Sequence, residues 1–424
     1  MDFLFPTEPA ESLLREEIER IRREGFFDYQ EKTPHFPIDS FLSERGLMLG
    51  MLVARTKSGE LVHFKAFSGL LLKSVHVPGF VPPCFSANAY REVVARYDGR
   101  IHELTQRIEN GEAELSEMRH ALSLECLSEL EKLYSFSSIT GRRLTFEDMG
   151  IENPSTGTGD CATIRLLSYC FRRGLAPVSL AEMWFGSPTA TRRESVLYPP
   201  CDEKCRPIVR HLLDIDLLYS DEDIAVIDKS AGLLSVPGKG IDKQDCASSR
   251  IKRLFPDAPE LPSVHRLDMD TSGILVFAKN EDAKRKLSLQ FEARETEKVY
   301  VALLRGVVRE QSGDIDLPLR LDVDNRPYQI VDHKLGKRAL THYETVKVEV
   351  LNGEKVTRVR FYPHTGRTHQ LRVHAASGLH IPIVGDRLYG TRRENERLCL
   401  HAESLSFFHP STGKRVTFSS PAPF

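Results

Sequence analysis

From about Leu212 to the end of the chain, short apolar runs alternate with turn clusters, and this alternation limits the fold more than any other feature. The runs IAVID, GLLSVPG, GILVFAK, VYVALLRG, THYETVKVEV, KVTRVRFY and RVTFSS have strand length, and many are rich in β-branched residues. Helical patterns over 281–294 and again after Thr365 interrupt them. Residues 212–424 therefore read as one α+β domain of ~200 residues with a mixed, largely antiparallel sheet.

The preceding half has a different character. Residues 1–86 read as a small α/β region, with a charged helix over 11–23 and the strand-like pieces LMLGMLVAR and ELVHFKAF. PGFVPPCF, with three prolines, marks a loop or boundary. Over 87–136 the pattern is helical: Ile101, Leu104, Ile108, Leu115, Met118 and Leu122 recur at three- and four-residue spacings, with a break at Gly111. Two arrangements fit, a hairpin turning at 109–112 or one long helix weakened at Gly111. Residues 137–211 complete this α-rich extension. There TGTGDC precedes a helix carrying Ile164, Leu167 and Phe171, with Thr158 or Asp160 expected as its N-cap. The turn lacks the glycine and Lys-Ser/Thr pattern of a phosphate cradle, so no nucleotide cofactor is expected. YPPCDEKCRP, 198–207, reads as a linker.

Hydrophobic content is 41% and charged content 28%, and no run approaches the ~18 apolar residues of a membrane span. The N-terminus lacks the basic-then-apolar order of a secretory signal, so a cytoplasmic location is expected. Eight scattered cysteines then read as reduced thiols. Cys201 and Cys205 form half a zinc motif without a second half, so no metal is expected. Residues 1–220 carry 26 Lys and Arg against 32 Asp and Glu, a balance of −6, whereas 221–424 carry 32 against 28, a balance of +4. The basic half is compatible with a nucleic-acid partner.

VHRLDMDTSG, 264–273, places His265, Arg266 and Asp268 directly before the apolar run ILVFA. Taken alone, Asp268 could cap a turn or stand at the mouth of a cleft. Four motifs occur in order: DKSAGLLSVPG (228–238), HRLDMDTSG (265–273), KVYVALLRG (298–306) and TGRTHQLRVH (365–374), the last followed by GDRLYG. In this sequence and order they resemble the RluA-type ribosomal large-subunit pseudouridine synthase family. The resemblance covers about half the chain, and the family usually has Pro where Ser230 stands. DNRPYQ, 324–329, resembles the subgroup acting on both transfer and ribosomal RNA, and the N-terminal half resembles an extension found in longer bacterial members.

The resemblance implies a catalytic domain with a central cleft and an isomerase that turns specific uridines of structured ribosomal or transfer RNA into pseudouridine. The net reaction neither oxidises nor hydrolyses, so no cofactor is expected. Asp268 would act on the ribose as nucleophile or base and must be ionised in a pocket without water. The resemblance places Arg372 as its bidentate partner and Tyr300 as the residue that stacks on the base and assists loss of the C5 proton. A stacked uridine hides its C1′, so the nucleotide must be flipped out. Arg266 would fill the gap, with His265 shaping the loop by donating a hydrogen bond, and Thr271, Arg367, His369, Gln370 and Leu371 completing the RNA-binding set. Asp270 is expected to be solvated. A non-catalytic RNA-binding or ribosome-assembly factor on the same fold is the alternative. A carboxylate hydrolase would need a second positioned acid, which the sequence does not offer. The N-terminal helices suggest docking onto a protein partner or onto the catalytic domain.

Overall fold

The computed structural model describes residues 3–27, 37–38, 46–71, 74–201, 203–240, 243–391, 393 and 396–424. The chain forms two compact units, Met1–Asp214 and Ile215–Phe424.

In the first unit, α1 (Ala10–Glu24) packs on an antiparallel sheet of order β2 (Leu61–Phe67), β1 (Gly46–Arg55), β5 (Ala176–Gly186). Leu14, Ile18 and Ile21 fall on one helical face and share a core with Leu47, Leu49, Met51 and Val53 of β1. Between β2 and β5 the chain takes the hairpin rather than the single long helix. It is built of α2 (Ala87–Glu109) and α3 (Ser116–Glu131). Gly111 turns it at φ +109, a conformation that side chains rarely adopt. The Tyr97 hydroxyl donates to Glu129 at 2.7 Å and to Glu125 at 3.2 Å, fastening one helix to the other. The two-residue strands β3 (Phe136–Ser137) and β4 (Arg143–Leu144) precede α4 (Ala162–Arg172), and α5 (Cys205–Leu213) closes the unit.

Three expectations fail here. The N-cap of α4 is Cys161, which makes no side-chain cap bond. Glu182 of β5 accepts from the Thr163 N–H at 2.7 Å instead, and Asp160 accepts from the Tyr134 hydroxyl at 2.9 Å. The predicted linker contains the start of α5. The thiols are not all reduced: Cys161 and Cys205 form a disulfide across 44 residues. They meet because α4 and α5 pack together, and residue spacing carries no trace of that contact.

The second unit is built on one large sheet. Its path runs β10 (Ser312–Asp316), β13 (Leu340–Leu351), β14 (Glu354–Pro363), β9 (Glu297–Leu304), β15 (Leu400–Phe408), β8 (Ser272–Ala278), β7 (Ile224–Lys229), β6 (Asp216–Ser220). β16 (Arg415–Ser419) also pairs with β15, and β11 (Leu319–Leu321) with β12 (Gln329–Val331) forms a separate ribbon. Every pairing is antiparallel except β8 with β15. The sheet is thus the mixed, largely antiparallel one that the runs predict. All seven residues of β8 are buried, which explains its unbroken apolar run.

Among the described residues the α-helices are α6 (Ala247–Leu254), α7 (Glu281–Ala293) and the single turn α8 (Gln370–Val373), which runs on into a π-helical turn over His374–Gly378. Asn280 caps α7 by accepting from the Ala283 N–H, and Ala283 and Leu287 pack with Ile274 and Val276 of β8. Among the described residues no helix is long and apolar enough to cross a membrane.

Candidate active site

Asp268 stands in the loop entering β8, and that loop is fastened at several points. The Thr271 N–H donates to the Asp268 carbonyl at 3.1 Å. The Lys229 ammonium, at the end of β7, donates to the carbonyls of Ser230, Leu233 and Met269 at 2.7–2.9 Å. Burial pushes that ammonium down to about 8, against the opposing pull of Asp268 and Asp270. Ser235 both donates to the Leu267 carbonyl and accepts from its N–H. The turn beginning at Ser230 is thus held by a side-chain cation and by the Gly232–Met269 bond, with no proline needed.

Gly273 sets where the loop meets the sheet. Its φ is +118, and a Cβ there would lie 2.3 Å from the Ala402 carbonyl oxygen. Only glycine lets β8 approach β15 so closely. The register then runs Gly273, Ala402, Tyr300 across three strands, which brings Tyr300 to the same end of the sheet as Asp268.

Arg372 enters from α8. Its Nη1 lies 3.7 Å from Asp268 Oδ2. The bidentate bond expected between these two is absent, because Asp386 takes it: Nε and Nη2 of Arg372 donate to the two Asp386 oxygens at 2.8 and 2.6 Å. The Asp386 side chain is 0% exposed, Arg372 4% and Asp268 24%. Burial works against both buried charges, but their mutual hydrogen bonds outweigh it, raising the Arg372 guanidinium and lowering the Asp386 carboxyl. Asp386 therefore locks the guanidinium in place, and the remaining N–H edge faces a carboxylate that reaches the cleft.

That cleft has a volume of about 950 Å³, within the ~300–1,000 Å³ of small-molecule sites. Asp268, Tyr300 and Arg372 line it, with Arg266, Arg294, Lys298 and Arg367 supplying positive charge. Arg266 is exposed. Burial, and then the Asp268 charge, push the Tyr300 phenol well above its ordinary value, so the hydroxyl stays protonated.

The other anticipated residues divide by role. His265 stacks on Phe291 at 4.4 Å between ring centres, and burial pushes it down to about 3. Its ring is neutral, and Nε2 accepts from the Val276 N–H at 3.1 Å rather than donating. His369, with φ +54, shares a 2.8 Å hydrogen bond with the Tyr389 hydroxyl. Gln370 was expected to bind RNA, yet it is buried and its amide is filled by the protein. It accepts from Thr365 and the Arg367 N–H, and donates to Leu340 and Thr341. Leu371 is 7% exposed and packs into the core beneath the cleft. Asp270 is 25% exposed and pairs with Arg387 at 2.9 Å.

Outside the cleft, Asp221, Asp223 and His409 gather three groups of metal-binding type. They are already engaged: His409 bonds Asp221 at 2.8 Å, and Asn280 donates to Asp223 at 2.9 Å.

Residues 223–377 match the family described as RNA pseudouridylate synthase. The dual-specificity RNA pseudouridine synthase RluA of Escherichia coli is 46% identical over 211 residues, 49% of this chain and 93% of that protein. The chain belongs to the RluA-type pseudouridine synthase family. The RluA of Haemophilus influenzae is 43% identical over 213 residues, covering 50% of this chain and 94% of its own. A solved structure, Human RNA Pseudouridylate Synthase Domain Containing 1, aligns at 31% identity and TM-score 0.42 over 50% of this chain and 84% of that one.

For this synthase, sequence reasoning missed Asp386, Lys229, Phe291 and Tyr389 as parts of the site. Asp386 and Tyr389 stand in the GDRLYG motif and Lys229 in DKSAG, so their motifs were visible although their contacts were not. Phe291 sits in the pattern of α7 and carries no signal of its own.

Proposed function

We propose that Asp268 is the carboxylate that works on the ribose of a flipped uridine in structured ribosomal or transfer RNA. The observation that carries this is the Asp268–Arg372 pair at 3.7 Å on the wall of a cleft lined by cations. Arg372 sets a guanidinium beside the carboxylate that attacks C1′ or removes the C2′ proton. The bond between N1 and C1′ breaks, the base turns, a bond from C5 to C1′ forms, the C5 proton passes to solvent, and N1 takes up a proton in its place. Atoms and electrons balance without a co-reactant.

Tyr300 acts as a neutral phenol. It supplies a flat face and a hydroxyl to the turning base, and its raised phenol makes it a poor acceptor for the C5 proton. Arg266, exposed at the rim, occupies the gap left by the flipped nucleotide, while Arg367 and Lys298 meet phosphates. Substrate choice rests on loop shape, in keeping with RNA recognition through unpaired nucleotides. The site of action is the cytoplasm, where ribosomal and transfer RNA are found.

The test is tritium release from RNA carrying uridine labelled at C5. Asp268→Asn is expected to abolish release while RNA affinity stays within a few fold. Normal release by Asp268→Asn would overturn the assignment. Full complementation of a deletion strain by the same variant would point to an RNA-binding role independent of turnover.

A further inference from the structure

We propose that Cys161, Cys201 and Cys205 of the N-terminal unit form a thiol–disulfide exchange site that answers to low-molecular-weight thiols. Cys161 and Cys205 are bonded, and the Cys201 sulfur lies 3.4 Å from that of Cys205. Cys205 is 2% exposed, whereas Cys161 and Cys201 are both partly exposed. The shared sulfur is therefore hidden, and the two that compete for it face solvent. A structural disulfide needs no third thiol in contact with its buried end. An exchange site does.

The local structure favours movement in one direction. Cys161 is the N-cap residue of the 11-residue α4, where backbone N–H groups and the helix dipole stabilise a thiolate leaving group. Cys201 is free and lies four residues before Cys205. Cys201 loses its proton to solvent, and its thiolate attacks the Cys205 sulfur. A Cys201–Cys205 bond forms, the Cys161–Cys205 bond breaks, and Cys161 departs as a thiolate. The oxidation level does not change in this step. Full opening takes two electrons and two protons from a pair of small thiols, which leave as their own disulfide.

In a reducing compartment, the disulfides that form are usually transient ones with a catalytic or sensing task. The groups of the described residues that could hold a metal gather elsewhere, at Asp221, Asp223 and His409. What exchange alters is a fastening. With Cys161 bonded, the start of α4 is tied to the start of α5. With Cys201 bonded instead, the bridge closes within the approach to α5 and α4 is released.

The test uses the full-length protein equilibrated in glutathione buffers from reducing to oxidising, then acid-quenched, alkylated and mapped by mass spectrometry. In the wild-type protein, peptides linked 161–205 and 201–205 should both appear, with alkylated Cys161 rising as alkylated Cys201 falls. C161S should form the 201–205 bond, and C201S should show complete loss of the 201–205 peptide while keeping 161–205. The proposal is overturned if C161S is alkylated at both remaining cysteines at every glutathione ratio. It is also overturned if wild-type protein holds one equivalent of zinc that C201S loses. The wild-type map needs no substitution, so it decides the matter even if a variant folds poorly.

Discussion

Each unit buries a charged triad, and the two are near mirror images. In the catalytic unit one cation, Arg372, stands between two carboxylates, Asp386 and Asp268. In the N-terminal unit one carboxylate, Glu17, stands between two cations, with Arg20 Nη2 at 2.9 Å and Lys65 Nζ at 2.5 Å. All three side chains of the second triad are below 10% exposed. In the first, Asp386 and Arg372 are equally hidden, but Asp268 remains 24% exposed. Burial of charge therefore does not mark a reactive site. What sets the first triad apart is one member left 24% exposed in its cleft while its partner is held by a third group, whereas the three side chains beside the N-terminal cavity all stay below 10% exposed.

The strongest way to break this contrast is Asp386→Ala. It leaves a buried guanidinium without its bidentate partner, at a cost of about 3–5 kcal/mol. Urea unfolding should report that loss, and kcat for tritium release should fall with it. A variant that keeps full kcat would show that Arg372 needs no locking.

Glu17→Gln is the counterpart in the N-terminal unit. It keeps an acceptor for Arg20 and Lys65 but removes the charge, and is expected to cost about 1–3 kcal/mol. Turnover by the folded variant should match the wild type. A fall in kcat at unchanged stability would mean that the N-terminal triad contributes to chemistry after all.

The smallest effect separates lysine from arginine. Burial pushes the Lys65 ammonium down to about 8, in spite of Glu17, from an ordinary value of 10.5. Between those two pH values the unfolded chain binds more protons at this site than the folded one. Stability therefore gains from Lys65 as pH rises through 8 to 10.5. Lys65→Met should remove that share of the slope in urea midpoints measured at pH 8, 9 and 10, while the share from Lys229 persists. An unchanged slope would mean that the Lys65 ammonium is not perturbed by its surroundings.

The sheet was legible because its runs are strand-length and β-branched, and the buried run ILVFA sits where β8 does. The α2–α3 hairpin was legible as one of two options, since Gly111 signals a break without saying which way the chain turns. The meeting of Asp268 with Arg372 was reached through resemblance alone, as nothing periodic links residues so far apart. Gln370 was misassigned for the opposite reason: its motif was visible, but the four bonds that consume its amide come from strands and turns the motif does not name. Cys161 was misread in the same way, through a partner distant in sequence. The reversed hydrogen bond of His265 depends on burial behind Phe291, which is decided by α7 rather than by HRLD.

The single parallel seam, β8 beside β15, has a consequence of its own. Two strands running in the same sense send the segments before them to the same rim. The stretch bearing residue 268 and the stretch bearing 386 and 387 both arrive from that side, which is how Arg387 comes to grip Asp270. Had the two strands been opposed, those segments would have emerged at opposite rims, and the guanidinium and its two carboxylates could not have met. The pairing of Asp268 with Arg372 is thus a property of chain polarity first and of side-chain chemistry second.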